Sequence, residues 1–351
     1  MQAALFHEHG GPEVVRIEDV PRPRPGPGEV LLRVEAAALN HLDLWVRRGL
    51  PIETAMPHIG GSDICGTVEE PGQGADADVV GGRFVVDPSL ACGQCAWCVR
   101  GEAPLCPDYR IIGEHTQGGF AEYVVVPAAN LWPVPQDYAP ARAAAVPLAF
   151  LTAWRALVTR GRLVAGESVL ITGASGGVAT AAIQIAGHLG ATVHAVTSTP
   201  HVDRVRALGA HVVYDRTAED FSRAIWRDTG KRGVDVVLDS VGEAVWEGCV
   251  RCLSRGGRLV SYGATTGPRA VTDIRVLFWK QIDILGSTMS NRAEFEAAMR
   301  AVFEGPLEPV VARTLPLSEA RAAHEALEAG EVFGKLVLVP DGNGRRDPGA
   351  A

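Results

Sequence analysis

The pattern of apolar and polar positions in this chain changes near residue 145. Before that point, short β-type runs such as residues 29–34, 82–86 and 121–126 are separated by Gly and Pro. Such spacing is typical of an antiparallel, barrel-like sheet. After that point, short apolar runs alternate with longer helical patterns, which indicates parallel strands joined by right-handed helical crossovers.

The second pattern predicts individual elements. Strands are expected at residues 168–172, 192–196, 234–239 and 257–262, with helices at 179–189, 202–208 and 246–253. A helix at 318–329 and a final strand at 334–339 close the chain. The predicted fold class is α/β: a barrel-like β domain together with a doubly wound parallel sheet.

A group of four cysteines is the strongest chemical signal. Cys92, Cys95, Cys98 and Cys106 follow a C-x2-C-x2-C-x7-C spacing. Four thiolates can surround one zinc tetrahedrally, and such a closed site is structural rather than catalytic. An iron–sulfur cluster, suggested by the pair Cys106–Pro107, and two disulfides are the competing interpretations.

A glycine-rich turn joins the predicted strand 168–172 to the helix that follows it. In this setting a glycine fingerprint predicts a dinucleotide-binding loop, with the pyrophosphate at the helix N-terminus. The alternative is a tight turn in a unit that binds no ligand. The residues predicted to contact the cofactor here are Gly173, Ala174, Gly176, Gly177 and Val178.

The strand after this helix predicts which cofactor is bound. An NAD-binding fold usually ends that strand with an acid that holds the ribose 2′-hydroxyl. Here the strand 192–196 is followed by Ser198 and Thr199, and then by His201 and Arg204, with no acid at its end. We therefore expect NADP(H) to be preferred over NAD(H).

Charge and hydropathy exclude several classes of partner. The net charge is −8, so no basic surface for nucleic acid or anionic lipid is indicated. No apolar run approaches the roughly 20 residues of a membrane span, and the N-terminus lacks the pattern of a signal peptide. Seven cysteines, four of them at metal-binding spacing, favour a reducing cytoplasm.

Several motifs together resemble the zinc-type alcohol dehydrogenase family of the medium-chain dehydrogenases and reductases. They are residues 61–68, the cysteine loop, residues 118–123, the glycine turn, residues 256–260 and residues 334–335. The resemblance implies a GroES-like domain at 1–145, with the structural zinc loop at about 87–107. It also implies a Rossmann domain at 146–284, and a return to the first domain at 285–351 with a disordered tail from about 341.

The resemblance also implies an assembly. Relatives pair through the edge of the Rossmann sheet, and the apolar residues 274–279 are expected near such a contact. A homodimer, or a homotetramer built from dimers, is therefore expected.

The chain departs from the family where a catalytic zinc would bind. Asn40 stands at the position of the first cysteine ligand, and Leu42 at that of a proton-relaying hydroxyl. Ser62 stands at the second ligand position and Leu148 at the third. These side chains cannot replace thiolate and imidazole ligands. The pattern resembles the quinone reductase-like branch, with the structural zinc loop retained.

Other residues have two interpretations each. Asp43 and Asp63 could orient the substrate or form a structural hydrogen-bonded pair, and His115 could donate a proton or be merely exposed. Cys249 and Cys252 could be a redox pair, but buried thiols are favoured there, and Cys65 is expected in the core.

Without a Lewis acid, substrates that are already electrophilic need the least help with hydride transfer. We therefore expect a small-molecule reductase that acts on quinones or α,β-unsaturated carbonyls. The alternatives are an alcohol or aldehyde dehydrogenase that uses Asp43, Asp63 or His115 in place of the metal, and an NADPH-binding sensor or scaffold without turnover.

Overall fold

The computed structural model describes residues 1–341, and the predicted disordered tail lies almost wholly outside them. The chain forms two compact units. The first comprises Met1–Leu148 and the described residues from Asn291 onward, and the second comprises Ala149–Ser290. Both boundaries of the second unit lie a few residues later than the sequence pattern predicts. No helix within residues 1–341 is both long and apolar enough to cross a bilayer.

The strands and helices follow in chain order. The strands are β1 (Gln2–Phe6), β2 (Arg16–Asp19), β3 (Glu29–Ala38), β4 (His58–Ile59), β5 (Asp63–Pro71), β6 (Arg83–Val86), β7 (Ser89–Leu90), β8 (Arg110–Ile111), β9 (Tyr123–Pro127), β10 (Leu131–Pro133), β11 (Ser168–Ile171), β12 (Thr192–Thr197), β13 (Val212–Asp215), β14 (Val234–Asp239), β15 (Leu253–Ser261), β16 (Asp283–Gly286), β17 (Val311–Pro316) and β18 (Lys335–Val339). The helices are α1 (His41–Arg48), α2 (Ala96–Val99), α3 (Pro140–Ala144), α4 (Pro147–Trp154), α5 (Gly177–His188), α6 (Val202–Ala207), α7 (Phe221–Asp228), α8 (Trp246–Cys252), α9 (Ile274–Lys280), α10 (Arg292–Phe303) and α11 (Ala320–Glu328).

The first unit is built on a largely antiparallel sheet in the order β10-β6-β5-β3-β18-β17. Strand β3 is its central element and pairs with β5, β9 and β18. The apolar residues of β3, such as Val30, Leu31 and Leu32, are completely buried because the strand is covered along its length. The barrel-like β domain predicted from the short, Gly- and Pro-separated runs is confirmed.

The pairing of three strands places the polar residues of the first unit at one end of this sheet. Ala38, the last residue of β3, pairs with Asp63 of β5 and with Val337 of β18. The N–H of Leu39 donates to the carbonyl of Leu336 (2.9 Å). The register therefore brings Asn40, Asp63 and Lys335 next to one another, although they are far apart in the sequence.

The second unit is a six-stranded parallel sheet in the order β13-β12-β11-β14-β15-β16. This order reverses direction between β11 and β14, where a doubly wound sheet binds its ligand at the carboxyl ends of the strands. The predicted Rossmann-type sheet is confirmed.

One predicted strand boundary differs from the structure. Strand β15 begins at Leu253 rather than at Gly257. The register against β14 shifts between Val234 and Val236, so a bulge carries the exposed residues Arg255 and Gly256 within the strand. A bulge breaks the apolar alternation, which explains why the sequence pattern misses the start of this strand.

Candidate functional site

The polar residues at the end of the first unit's sheet form one buried network around Lys335. Its ammonium Nζ donates to Asn40 Oδ1 (2.5 Å) and to Asp63 Oδ2 (2.8 Å). The Nδ2 of Asn40 also donates to Asp63 Oδ2 (2.9 Å). The side chains of Lys335 and Asp63 are 4% and 0% exposed, so this is a fully buried ion pair.

The second oxygen of Asp63 holds the start of helix α4. Oδ1 of Asp63 accepts a hydrogen bond from the N–H of Leu148 (2.6 Å). Leu148 is the second residue of α4, so the carboxylate satisfies a backbone donor that has no partner inside the helix. Leu148 stands at the position of the third ligand of the family's catalytic zinc, and here it contributes a backbone N–H to the network.

Asp43 fixes the turn between β3 and α1. Its Oδ2 accepts from the N–H of Asn40 (2.7 Å) and its Oδ1 from the N–H of Gly61 (2.9 Å). Burial raises the pKa of Asp43 to about 6, against the opposing effect of these two N–H groups. Asp43 and Asp63 do not bond to each other. Each accepts from its own set of donors, so of the two interpretations left open by the sequence the hydrogen-bonded pair is not formed.

Ser62 is the remaining residue of the predicted catalytic set. It precedes Asp63 and is completely buried. Its Oγ has no hydrogen-bond partner within residues 1–341. A buried hydroxyl without a partner is costly, so Ser62 offers the pocket a free donor and acceptor.

These residues do not fit a catalytic metal. The family's catalytic zinc needs thiolate or imidazole ligands, and the three ligand positions instead provide an amide, a hydroxyl and a backbone N–H. The two nearby carboxylates, Asp43 and Asp63, already accept hydrogen bonds on both oxygens. The ammonium of Lys335 already neutralises Asp63, the one carboxylate in direct contact with it. A divalent cation would have to bind beside this fixed positive charge.

His115 lies in the segment that packs on this pocket, and its ring is largely enclosed. Its Nδ1 accepts from the N–H of Ile111 (3.1 Å). Burial, and to a smaller extent the positive charge of Arg110, lowers the pKa of His115. The His115 ring is therefore partly buried and held by a hydrogen bond, not freely exposed. The neighbouring Glu114, which belongs to no motif of the sequence, is more buried, and its Oε2 lies 3.7 Å from His115 Nδ1.

The four cysteines of the zinc loop lie together in space. The Sγ atoms of Cys92 and Cys98 are 3.9 Å apart, and the pairs Cys95–Cys98 and Cys92–Cys106 are each 3.5 Å apart. Zinc–sulfur bonds of about 2.3 Å in a tetrahedron require sulfur–sulfur distances of about 3.8 Å.

All four sulfurs lie within 4.8 Å of one another. The cysteines of a multi-iron cluster bind different irons and would be farther apart, while disulfide sulfurs would be bonded at about 2.0 Å. The site fits one tetrahedral metal ion.

The other cysteines are core residues. Cys65, Cys249 and Cys252 are completely buried, and burial raises the pKa of each thiol. The thiol of Cys252 donates to the carbonyl of Cys249 (3.3 Å). The buried-thiol interpretation of the Cys249 and Cys252 pair is supported over the redox interpretation.

The glycine turn of the second unit has the geometry of a phosphate site. Gly173 has φ +56°, a conformation that favours glycine, and the N–H of Ala174 bonds to the carbonyl of Val196 (3.0 Å). Helix α5 begins at Gly177, and its first helical hydrogen bond runs from the Thr180 N–H to the Gly176 carbonyl (2.9 Å).

No side chain within residues 1–341 caps α5, so the N–H groups of Gly177, Val178 and Ala179 remain available to an anion. A Cβ on Gly176 would meet only the Gly173 carbonyl, at 3.4 Å, so the space in front of this turn is open. The residues fit a dinucleotide pyrophosphate.

The turn after β12 contains the residues predicted to select the cofactor. Ser198 precedes a helical turn at Thr199–His201, and Arg204 lies exposed on α6. His201 is mostly buried. This burial, and to a smaller extent the positive charge of Arg204, lowers the pKa of His201. The structure thus brings these side chains onto one short segment at the carboxyl end of β12.

An acid does lie beside this turn, but it comes from the neighbouring strand. The Oγ1 of Thr199 donates to Oδ2 of Asp215 (2.6 Å), which is the last residue of β13. Hydrogen bonds from Thr199 and Thr217 lower the pKa of Asp215, so it is ionised. The cofactor motif concerns only the end of β12, so this charge, which comes from β13, cannot be found from the motif.

The metal content of the protein tests the cysteine loop. We expect one zinc per chain, without visible absorbance, and we expect chelators to remove it with loss of local order. Elemental analysis of the Cys95→Ser variant should show loss of the zinc, whereas Cys65→Ala, a cysteine outside the loop, should retain it. Iron with visible absorbance would contradict the zinc assignment, and two zincs per chain would contradict the account of the polar pocket.

Comparison with known proteins gives two family matches. The model described as "Alcohol dehydrogenase GroES-like domain" matches residues 26–136, and the model described as "Zinc-binding dehydrogenase" matches residues 177–304. The first lies within the barrel-like unit, and the second covers the end of the glycine turn and most of the parallel sheet.

Individual relatives match over nearly the whole chain. A 2-haloacrylate reductase from Burkholderia sp is 32% identical, covering 97% of this chain and 99% of the relative. An acryloyl-coenzyme A reductase from Metallosphaera sedula is 31% identical, covering 96% and 99%. The crystal structure of an NAD-dependent alcohol dehydrogenase matches with 42% identity and a TM-score of 0.93, covering 97% of this chain and 99% of that one.

These matches agree with the barrel-like unit, the cysteine loop and the glycine turn. The chain therefore belongs to the zinc-type alcohol dehydrogenase family of the medium-chain dehydrogenases and reductases, and it is an oxidoreductase.

Proposed function

We propose that the protein is an NADPH-dependent reductase of conjugated carbonyl compounds or quinones. The observation that carries this proposal is the pocket of Asn40, Ser62 and Asp63, which is held by the ammonium of Lys335 and lacks a ligand set for a Lewis-acid metal. The bound nicotinamide supplies the hydride, and the residues of the chain supply placement and electrostatics.

The proposal follows from how much stabilisation each class of substrate needs. Oxidation of a simple alcohol passes through an alkoxide, which a metal ion stabilises well and neutral hydrogen-bond donors stabilise poorly. A quinone or an enone spreads the incoming negative charge over a conjugated system. For such substrates, hydrogen bonds from the Ser62 hydroxyl or the Asn40 amide stabilise the developing negative charge sufficiently.

The names of two relatives agree with this substrate class, since both a 2-haloacrylate and an acryloyl thioester carry a conjugated double bond. A second candidate is favoured by the structural match to an NAD-dependent alcohol dehydrogenase at 42% identity. In that case Asp43, Asp63 or His115 would act in the reaction in place of the catalytic metal ion. The saturated hydrogen bonding of both aspartates is an argument against it.

The preference for NADPH rests on the turn after β12. It offers Ser198 and Thr199, with His201 and Arg204 next to them, and its own strand provides no acid. The carboxylate of Asp215 opposes this preference because it would repel a 2′-phosphate. Arg204 and Asp215 therefore set the balance between the two cofactors.

A homodimer is the proposed assembly. Strand β16 is an edge of the parallel sheet, and helix α9 just before it exposes apolar side chains, with Ile274 at 69% and Trp279 at 68% exposure. Such exposed apolar side chains are usual at sites of protein association.

The cofactor preference can be measured directly. We expect NADPH to exceed NADH in kcat/KM by about tenfold, or about 1.4 kcal/mol. Arg204→Ala should narrow that ratio, and Asp215→Asn should widen it because it removes a negative charge beside the 2′ position. Arg206→Ala, on the same helix but paired with Asp203, is the matched control and should change little. Equal or better use of NADH by the unaltered protein would overturn the assignment.

The reaction can be tested with a panel of ethanol, benzyl alcohol, benzaldehyde, a benzoquinone and an enone. We expect NADPH consumption with the last two and almost no oxidation of the alcohols, because the pocket lacks a Lewis acid. Each assay is repeated with added zinc and with a chelator.

Strong alcohol oxidation that survives chelation would favour the metal-free dehydrogenase instead. Alcohol oxidation that depends on added zinc would show that the pocket binds a metal. Tight NADPH binding without turnover of any acceptor would favour the sensor or scaffold.

The proposed dimer predicts the mass of a dimer, or of a tetramer, by light scattering at micromolar concentration. Phe278→Glu should weaken the association, since it places a charge within the exposed apolar surface of α9. Val99→Glu, an exposed apolar residue of the zinc loop, is the control. A monomeric wild-type protein would contradict the proposal.

A further inference from the structure

A buried acid that the network around Lys335 does not use lies in the segment of residues 113–120, here named the Gly113 segment. This segment runs alongside residues 59–61 and is bound to them through the main chain. The N–H groups of Gly118, Gly119 and Phe120 donate to the carbonyls of Ile59, Gly61 and Gly60, at 2.7, 2.8 and 3.0 Å. The Gly113 segment therefore has a fixed position beside the residues that lead into Ser62 and Asp63.

Gly113 brings the start of this segment into direct contact with the pocket. It has φ +81°, and a Cβ at this position would lie 2.7 Å from the carbonyl carbon of Gly61 and 2.9 Å from the N of Ser62. Only glycine allows the two main chains to approach so closely. Glu114 therefore directly follows a residue whose main chain contacts the backbone of Ser62.

The carboxyl group of Glu114 has an unusual environment. The residue is 8% exposed, and within residues 1–341 its carboxyl accepts no hydrogen bond from a backbone N–H, an Arg or a Lys. Nδ1 of His115 lies 3.7 Å from Glu114 Oε2 and already accepts from the N–H of Ile111. Burial, and then the charge of Asp43, raise the pKa of Glu114 to about 7.

Three other titratable groups nearby, Asp43, Asp63 and His58, are engaged in hydrogen bonds. Both oxygens of Asp43 hold backbone N–H groups, and both oxygens of Asp63 hold donors, one of them Lys335. The ring of His58 is within hydrogen-bond distance of the Gly113 carbonyl (3.0 Å), and burial lowers its pKa. Burial lowers the pKa of His41 and of His324, the two other nearby groups whose rings have no hydrogen bond within the described residues. Glu114, whose pKa is raised instead, is therefore an acid that can hold a proton near neutral pH and release it without breaking a hydrogen bond.

We infer that Glu114 is the proton donor in the reduction of the conjugated substrate, an inference that rests on the proposed reductase function. A bound reduced nicotinamide would supply the hydride that forms the C–H bond at the β-carbon. The π pair of the C=C bond then forms a double bond between the α-carbon and the carbonyl carbon, and the π pair of the C=O bond moves onto the oxygen to give an enolate. The enolate then collapses, and its α-carbon takes the proton of the Glu114 carboxyl. Glu114 leaves the step as a carboxylate and regains a proton from water, so each turnover consumes one NADPH and one proton.

The predicted pH dependence has a definite sign. The protonated form of Glu114 is the active one, so kcat for an enone should fall as the pH rises through about 7. The titratable groups that act on Glu114 are Asp43 of α1 and the adjacent His115, and His58 of β4 and Arg110 in turn act on His115. Any pH dependence of kcat that comes from these groups should persist in a variant that lacks only the Glu114 carboxyl. If the fall in kcat at alkaline pH disappears in that variant, Glu114 is the group that causes it.

The experiment compares Glu114→Gln with the wild type over a range of pH, using an enone and NADPH. We expect kcat to fall about a hundredfold, the alkaline fall near pH 7 to disappear, and the dissociation constant of NADPH to stay the same. Glu304→Gln, an exposed glutamate at the end of α10, should behave like the wild type. His115→Gln should keep the alkaline fall.

A second measurement does not depend on turnover. Difference infrared spectra of the wild type against Glu114→Gln should show a protonated carboxyl band that titrates near pH 7. If this band is absent, or if Glu114→Gln retains kcat within about twofold with an unchanged pH profile, Glu114 is not the donor. A wild type that reduces no conjugated acceptor would refute the proposed function and the inference that rests on it, whereas normal turnover by Glu114→Gln would refute the inference alone.

Discussion

The buried ion pair between Lys335 and Asp63 is the constraint on which the first unit depends. Lys335 begins β18, Asp63 begins β5 and Asn40 follows β3, so the pair joins the ends of three adjacent strands. Through Leu148 the same carboxylate holds the first turn of α4. Two charges removed from water are tolerated only when their remaining donors and acceptors are satisfied, and this network satisfies both oxygens of Asp63.

The same network determines the chemistry that the pocket can perform. A catalytic metal ion stabilises a developing oxyanion as a Lewis acid. Here the positive charge belongs instead to the side chain of Lys335, which is bonded to Asn40 and Asp63. What remains for a substrate is the unpartnered hydroxyl of Ser62 and the buried acid Glu114. Hydrogen-bond donors and a proton suit an acceptor that is already polarised.

The sequence predicts the fold and the local motifs well, because both arise from patterns between residues that are close in the chain. The cysteine spacing, the glycine turn after β11 and the change from barrel to alternating pattern are all of this kind. The role of Lys335 does not arise from such a local pattern, because its partners lie on strands that come together only through the register of the sheet. Asp215 and Glu114 were missed for related reasons: one reaches Thr199 from a neighbouring strand, and the other owes its environment to a close contact of Gly113 with residues 61–62.

The free energy of unfolding of Lys335→Met tests most directly whether a fixed internal cation holds this pocket together. The account predicts a loss of about 3–5 kcal/mol in urea unfolding, because Asp63 is left as an unpaired buried charge. It also predicts a clearly smaller loss for the double variant Lys335→Met/Asp63→Asn, whose amide can still accept from Leu148. A loss below about 1 kcal/mol for Lys335→Met, the size expected for an exposed pair such as Arg162–Asp283, would contradict it.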